Sequence, residues 1–252
     1  MPLITCRNLC QTGRVGNQLF AYVFARGYAL AHGCELQIPA DWWGRKVFKD
    51  ADSLPPISVT LPQTERDDVT KRPLNRWFGR TDIDINVFAQ SQIYLDYYSR
   101  KQVREWLAFK PEWEQYAPHV RSTVAHYRRG DYTQEFSRYY CTVSDRSYVN
   151  AFTAHSTPWP VINIYDGWRE APESLPPDLG WLQDFLIMRD APTLLRANST
   201  FSWWAATLGH GKVYSPVVGD KVGLQDCVFV EGNWPCTAGK FSNQSDLHLK
   251  EV

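Results

Sequence analysis

Thr123-Val124-Ala125-His126-Tyr127-Arg128-Arg129-Gly130-Asp131-Tyr132 begins apolar and ends charged. The opening run is too short for a helix and β-branched at two of its three positions, which predicts a buried strand opening into a polar loop. Two arginines, a glycine and an aspartate at the carboxyl end of a strand suit an anion site. Guanidinium forks clamp diphosphate oxygens bidentately, Gly130 lets the backbone come close, and Asp131 can orient an arginine or a ligand hydroxyl. A solvated basic turn is the alternative, because Arg-Gly-Asp by itself is common.

A second stretch, Asn198-Ser199-Thr200-Phe201-Ser202-Trp203-Trp204-Ala205-Ala206, sets hydroxyls ahead of an apolar helical run. Serine or threonine at a helix start caps free amides, and those amides together with the helix dipole attract phosphate. An ordinary N-cap on a core helix would use the same residues. Around these stretches the chain alternates: strand at 123–127, helix near 144–154, strand at 161–165, helix near 179–189, strand at 193–195, then the hydroxyl-led helix and further strands at 212–214 and 227–230. Such alternation predicts a largely parallel sheet with helices on both faces. Ligands then bind at the carboxyl ends of strands, where His126, Asp166 and Ser199 fall. The tail after Trp234 has no strong periodicity, and either crosses back to the first half of the chain or frays.

Toward the N-terminus, Leu3 to Cys6 predicts a first strand and Gly13 to Gly16 a glycine-bracketed turn. A helix follows through about His32, with Leu19, Phe20, Val23, Phe24 and Leu30 at helical spacing and Gly33 as its stop. Strand, glycine turn and helix open a Rossmann-like unit, although the Gly-x-Gly-x-x-Gly fingerprint is absent. Gly16, Asn17 and Gln18 line the turn, where the two amides either hydrogen-bond a substrate or cap the helix. A second strand is expected at 34–38 and loops at Trp42-Trp43-Gly44-Arg45 and at 54–62. Beyond them come a basic segment at 66–80, either plain surface or an acceptor-binding loop, a strand at 93–97 and a helix at 100–107 that Pro111 ends. The domain boundary is expected between 108 and 122, dividing the chain into 1–115 and 116–252.

The length of 252 residues admits one large or two small domains. Basic and acidic residues balance at 27 each, which argues against a general nucleic-acid or polyanion binder while leaving room for a local basic cleft. The six cysteines form no Cys-x-x-Cys pair and no alternation with histidines at metal-ligand spacing, so they read as reduced thiols of a cytoplasmic protein. No basic segment leads into an apolar one at the N-terminus, and no window approaches the length of a membrane span. Eleven tryptophans suit sugar stacking as well as cores.

Three separated motifs, Gly13-Arg14-Val15-Gly16-Asn17-Gln18-Leu19-Phe20, His126 to Tyr132 and Asn198 to Ala206, resemble in kind and order those of the α1,2-fucosyltransferases of glycosyltransferase family 11. Weaker likeness lies at Ile93 to Arg104 and at Tyr165-Asp166-Gly167-Trp168, so the resemblance spans nearly the whole chain. It implies an α/β, GT-B-like fold of two Rossmann-like domains facing a central cleft, with the acceptor on the first and the nucleotide sugar on the second. The implied reaction is an inverting transfer of L-fucose from GDP-L-fucose to a hydroxyl of a glycan acceptor, α1,2 to a galactose-type residue, with no metal and no other cofactor. By the same resemblance Arg128 contacts the β-phosphate and His126 lies beside the nucleotide. Asp166 then hydrogen-bonds the guanine, and Ser199, Thr200, Phe201 and Ser202 meet the phosphates.

Such a transfer needs charge stabilisation as the sugar becomes oxocarbenium-like. Arg128 and the amides at Ser199 to Phe201 can provide it without a metal, through preorganised charge and dipoles. Arg128 shares the strand parity of His126 and Arg129 does not, which favours Arg128 as the catalytic arginine and Arg129 as structural. A general base must reach the acceptor hydroxyl, and Asp131, Asp96 and Asp41 are the candidates. Two other readings stay open: the same fold serving another nucleotide-sugar donor, and a non-catalytic glycan- or nucleotide-binding module.

Overall fold

Strand β1 (Leu3–Thr5) runs parallel to β2 (Glu35–Gln37) on one side and to β3 (Ile83–Asp84) on the other, giving a three-stranded sheet of order β2-β1-β3. The computed structural model to which this sheet belongs describes residues 1–63, 82–90, 94, 97–117, 119–133, 142–154, 161–165, 172–218, 221–222 and 247–251. It divides into two compact units, Met1–Trp113 and Glu114–Val252.

In the first unit the crossover from β1 to β2 is helix α1 (Val15–Ala31), as the 3.6-residue period predicts. Twelve of its 17 residues are buried, so α1 is a core helix and not a half-exposed amphipathic one. Leu30, expected in its apolar stripe, is 54% exposed and lies outside the core. The turn ahead of α1 depends on Gly13, whose φ of +63° is left-handed and whose position leaves no room for a Cβ against Asn17. The stretch Trp42 to Arg45, expected to be loop, instead leads into the one-turn helices α2 (Gly44–Val47) and α3 (Lys49–Ser53). The reason is tertiary. Arg45 donates to five backbone carbonyls, those of Ile38, Pro39, Ala51, Leu54 and Pro55, and gathers the surrounding chain about its guanidinium. Helix α4 (Arg100–Trp106) starts at a capping box between Ser99 and Gln102. The strand expected at 93–97 falls largely outside the described residues and Tyr97 lies in a turn, while the segment 66–80 is wholly outside them.

In the second unit β4 (Thr123–Tyr127), β5 (Val161–Tyr165), β6 (Thr193–Leu195) and β7 (Lys212–Val218) form a parallel sheet of order β5-β4-β6-β7, and β8 (Lys221–Val222) extends it antiparallel to β7. All five residues of β4 are buried, as befits a central parallel strand. Helices α5 (Asp145–Ala154), α6 (Leu182–Arg189) and α7 (Thr200–Leu208) lie in sequence between the strands. Helix α6 begins later than expected, because Pro177–Leu179 is a separate 3-10 turn. Of the tail, Leu247–Glu251 forms β9, paired antiparallel with β7 from Tyr214↔Glu251 to Val218↔Leu247, and 235–246 lie outside the described residues. The further strand expected at 227–230 lies outside the described residues.

Candidate active site at the β4 and β6 strand ends

The chain leaves β4 through α5 to place β5 on one side, then returns to place β6 on the other. Strand order therefore reverses between β4 and β6. In open parallel sheets the crevice beyond the carboxyl ends at such a reversal is where ligands bind.

Register brings together residues distant in sequence. Ala125 opposes Leu195, and Leu195 opposes Tyr214, so one step further His126, Arg196 and Ser215 share a row and a face across β4, β6 and β7. The Arg196 amide donates to Tyr214 O at 2.9 Å, and its Nη1 donates to Ser215 Oγ at 3.0 Å. Arg196 is completely buried. Sequence reading passed over it, although a lone charge inside Leu194-Leu195-Arg196-Ala197 was a signal, since arginine is almost never fully buried without a role. His126 is buried beside it, with its ring edge-on to Phe201 at a centroid distance of 6.1 Å. Burial first, and then the charges of Arg128 and Arg196, push the His126 pKa down to about 3, so its imidazole is neutral at neutral pH. The Tyr148 hydroxyl of α5 donates to His126 O at 2.6 Å and anchors the strand end.

Beyond β4 the helical turn Gly130–Thr133 folds Asp131 and Tyr132 back onto Arg128. Arg128 Nη2 lies 2.8 Å from Asp131 Oδ1 and 2.9 Å from Oδ2, and its Cζ sits 4.9 Å from the centre of the Tyr132 ring. The guanidinium is thus held on one edge by a carboxylate and on its face by an aromatic ring. Arg129 departs in another direction, to Asp145 at the start of α5, with its Cζ 5.9 Å from the Tyr127 ring.

Helix α7 begins on the far side of the switch point. Ser199 is its N-cap, extended in backbone, with Oγ accepting the Phe201 N–H at 3.3 Å. Asn198 and Ser199 are buried, while Thr200 and Phe201 are half-buried in the first turn. Ser202 is completely buried and donates its hydroxyl to Ser199 O at 3.3 Å and Ala197 O at 3.4 Å, so it shapes the helix start from inside. First-turn amides and the helix dipole give this end a positive potential. Flanked by Arg128 and this helix start, the crevice has the chemistry to take a diphosphate. Asp166, next after β5, lies outside the described residues.

The residues expected to meet a substrate in the first unit lie at the start of α1. Gly16 is buried there. Asn17 Oδ1 accepts Gln90 Nε2 at 2.9 Å. Gln18 uses its whole amide internally: Oε1 accepts the indole N–H of Trp42 at 3.0 Å and of Trp43 at 2.6 Å, and Nε2 donates to Cys10 O and Gly13 O. Asp41 is exposed and accepts the Cys10 thiol at 3.8 Å, and Asp96 is outside the described residues. Among the described residues there is no group of three or more His, Cys, Asp or Glu placed to hold a metal ion, and no helix long and apolar enough to cross a membrane.

No protein-family model and no curated protein matches the chain. Solved structures do. Fucosyltransferase NodZ from Bradyrhizobium superposes with a TM-score of 0.50 at 14% identity, over 84% of this chain and 94% of that one. NodZ alpha-1,6-fucosyltransferase soaked with GDP-fucose gives 0.51 at 14% identity, over 99% of both chains. A mutant of Arabidopsis thaliana FUT1 in complex with GDP gives 0.51 at 9% identity, over 84% of this chain and 70% of that one. At these identities the likeness is one of fold. The chain has the α/β, GT-B-like architecture with parallel sheets that its alternating pattern and motifs predicted.

Proposed function

We propose that the protein is an inverting glycosyltransferase that moves L-fucose from GDP-L-fucose to a hydroxyl of a glycan acceptor, α1,2 to a galactose-type residue. The observation that carries this reading is the pairing, at the β4/β6 switch point, of an Asp131-held guanidinium with the hydroxyl-capped start of α7. The motif resemblance supports it, and so does a fold like that of NodZ alpha-1,6-fucosyltransferase, whose structure was determined after soaking with GDP-fucose.

In the reaction the acceptor oxygen attacks C1 of fucose from the side opposite the diphosphate. The bond from C1 to the β-phosphate oxygen breaks and its electron pair leaves on GDP. Arg128 and the α7 amides stabilise that growing charge from fixed positions, which is worth most where reorganisation is least. Asp131 serves the step through Arg128, by holding the fork in place. The acceptor proton passes to a carboxylate within hydrogen-bond reach of its oxygen, for which Asp41 and Asp96 are the candidates. The second unit holds the donor, with Asp166 on the guanine, and the first receives the acceptor.

Calorimetric titration of the purified protein with GDP, GDP-fucose, GDP-mannose, UDP-sugars and ADP tests the reading. Selective binding of GDP and GDP-fucose is the expected result. Preference for another base or sugar overturns the donor, and silence across the panel overturns the enzyme.

A further inference from the structure

The first unit repeats the topology of the second. β1 leads through α1 to β2 on one side, and the chain comes back to put β3 on the other, so strand order reverses between β1 and β3. The crevice beyond those two strand ends is the place where such a sheet takes a ligand. Arg7 stands there, two residues after β1. Its backbone N–H donates to Asp84 Oδ1 at 2.9 Å and its Nε to Asp84 Oδ2 at 3.1 Å. Asp84 is completely buried at the end of β3 and accepts a third bond, from Thr5 Oγ1 at 2.8 Å. The sheet locks the carboxylate, and the carboxylate locks the guanidinium by its inner edge.

What distinguishes Arg7 is the edge left over. Arg26, a structural arginine of the same unit, spends both Nε and Nη2 on Asp50. Arg7 spends Nε alone, because its own backbone takes the second carboxylate oxygen. Its side chain is 35% exposed, and no described residue bonds its Nη1 or Nη2. A guanidinium tied through Nε on a partly exposed side chain keeps its terminal N–H groups for bidentate contact with an oxyanion. Arg128 is also held by an aspartate at the corresponding strand end of the second unit, there through Nη2 and not Nε. Across the β1/β3 switch point the Asn17 and Gln90 amides also join the start of α1 to the chain after β3, and amides suit sugar hydroxyls.

We propose that Arg7 is the oxyanion fork of a subsite in the first unit that takes a carboxylate or phosphate carried by the acceptor sugar, with Asn17 and Gln90 on its neutral hydroxyls. The substrate class is thus an acidic glycan, and the inference rests on the reading that the first unit receives the acceptor. The test is ligand-observed NMR on the whole protein without nucleotide, titrating galactose, galacturonate and galactose 6-phosphate into wild type, Arg7→Gln and Arg7→Lys. In wild type an acidic sugar should bind about tenfold more tightly than galactose, the scale of one charge-assisted bidentate contact. Whichever acid is preferred identifies the source of the anion. Arg7→Gln should bring acidic and neutral sugars to parity while keeping wild-type GDP affinity, and Arg7→Lys, which keeps the charge without the fork, should lose most of the preference. Equal binding of acidic and neutral sugars to wild type, or a preference that survives in Arg7→Gln, overturns the proposal. A wild-type protein that ignores GDP but prefers acidic sugars would instead defeat the donor reading and leave this subsite standing.

Discussion

Arg128 and Asp131 divide one task between them: the arginine carries the charge and the aspartate fixes where it points. Arg128→Ala is expected to lower kcat by at least ~10²-fold, as removal of a preorganised donor does. Ser202→Ala, which disturbs the helix start only from inside, should weaken donor binding less severely in the same assay. For Asp131→Asn the discriminating measurement is the pH–rate profile. A positioning residue leaves the acidic limb where it is while kcat falls and donor KM rises, whereas loss of that limb would make Asp131 the base. His126 adds a stability signature. Its folded pKa of about 3 lies below the ordinary histidine value, so at intermediate pH the unfolded chain binds a proton that the folded chain does not. Stability held above the unfolded pKa is therefore lost as pH falls, by up to about 1.4 kcal/mol per pH unit below ~6.5. Urea unfolding at about pH 7.5 and about pH 5.5 should show this slope in wild type and a shallower one in His126→Gln. Equal slopes would mean that His126 is not held neutral.

Among the elements, those with a strong local period were readable in advance and those assembled by distant partners were not. The strands β4 and β5 follow their apolar runs, and the start of α7 follows its hydroxyls. Ser199→Ala removes an N-cap and should cost about 1 kcal/mol, and on the proposed donor site GDP affinity should fall with it. Helices α2 and α3 show the opposite case. Nothing in Trp42-Trp43-Gly44-Arg45 announces that one guanidinium will collect five carbonyls, two before it and three after it. Arg45→Met keeps much of the side chain's bulk but leaves those acceptors without their donor. An expected loss of about 2–4 kcal/mol should appear as a lower urea midpoint.

On the scale of the whole molecule, two α/β units each present a reversal of strand order, and each sets an aspartate-held arginine beside it. On the proposed reading a guanidinium and a helix start carry the charge of the diphosphate in place of a divalent ion, so EDTA should leave the transfer rate unchanged. Restoration of activity only by added divalent metal would place the enzyme in another catalytic class.

The amino-acid sequence by itself determined the α/β alternation, the strand that ends at His126 and Tyr127 with its basic exit at Arg128 and Arg129, and the helix start at Ser199. These features rest on backbone stereochemistry, side-chain period and capping, all of which act over a few residues. Tertiary structure alone decided that Ile83–Asp84 would be a strand, since its carboxylate serves Thr5 and Arg7 from 79 and 77 positions away. It also decided that Leu247–Glu251 would close on β7, that Gln18 would hold two indoles, and that Arg196 would be buried in a row with His126 and Ser215. Such contacts depend on which distant segments the closing sheet brings together, and a residue's burial or charge environment exists only once that sheet has formed.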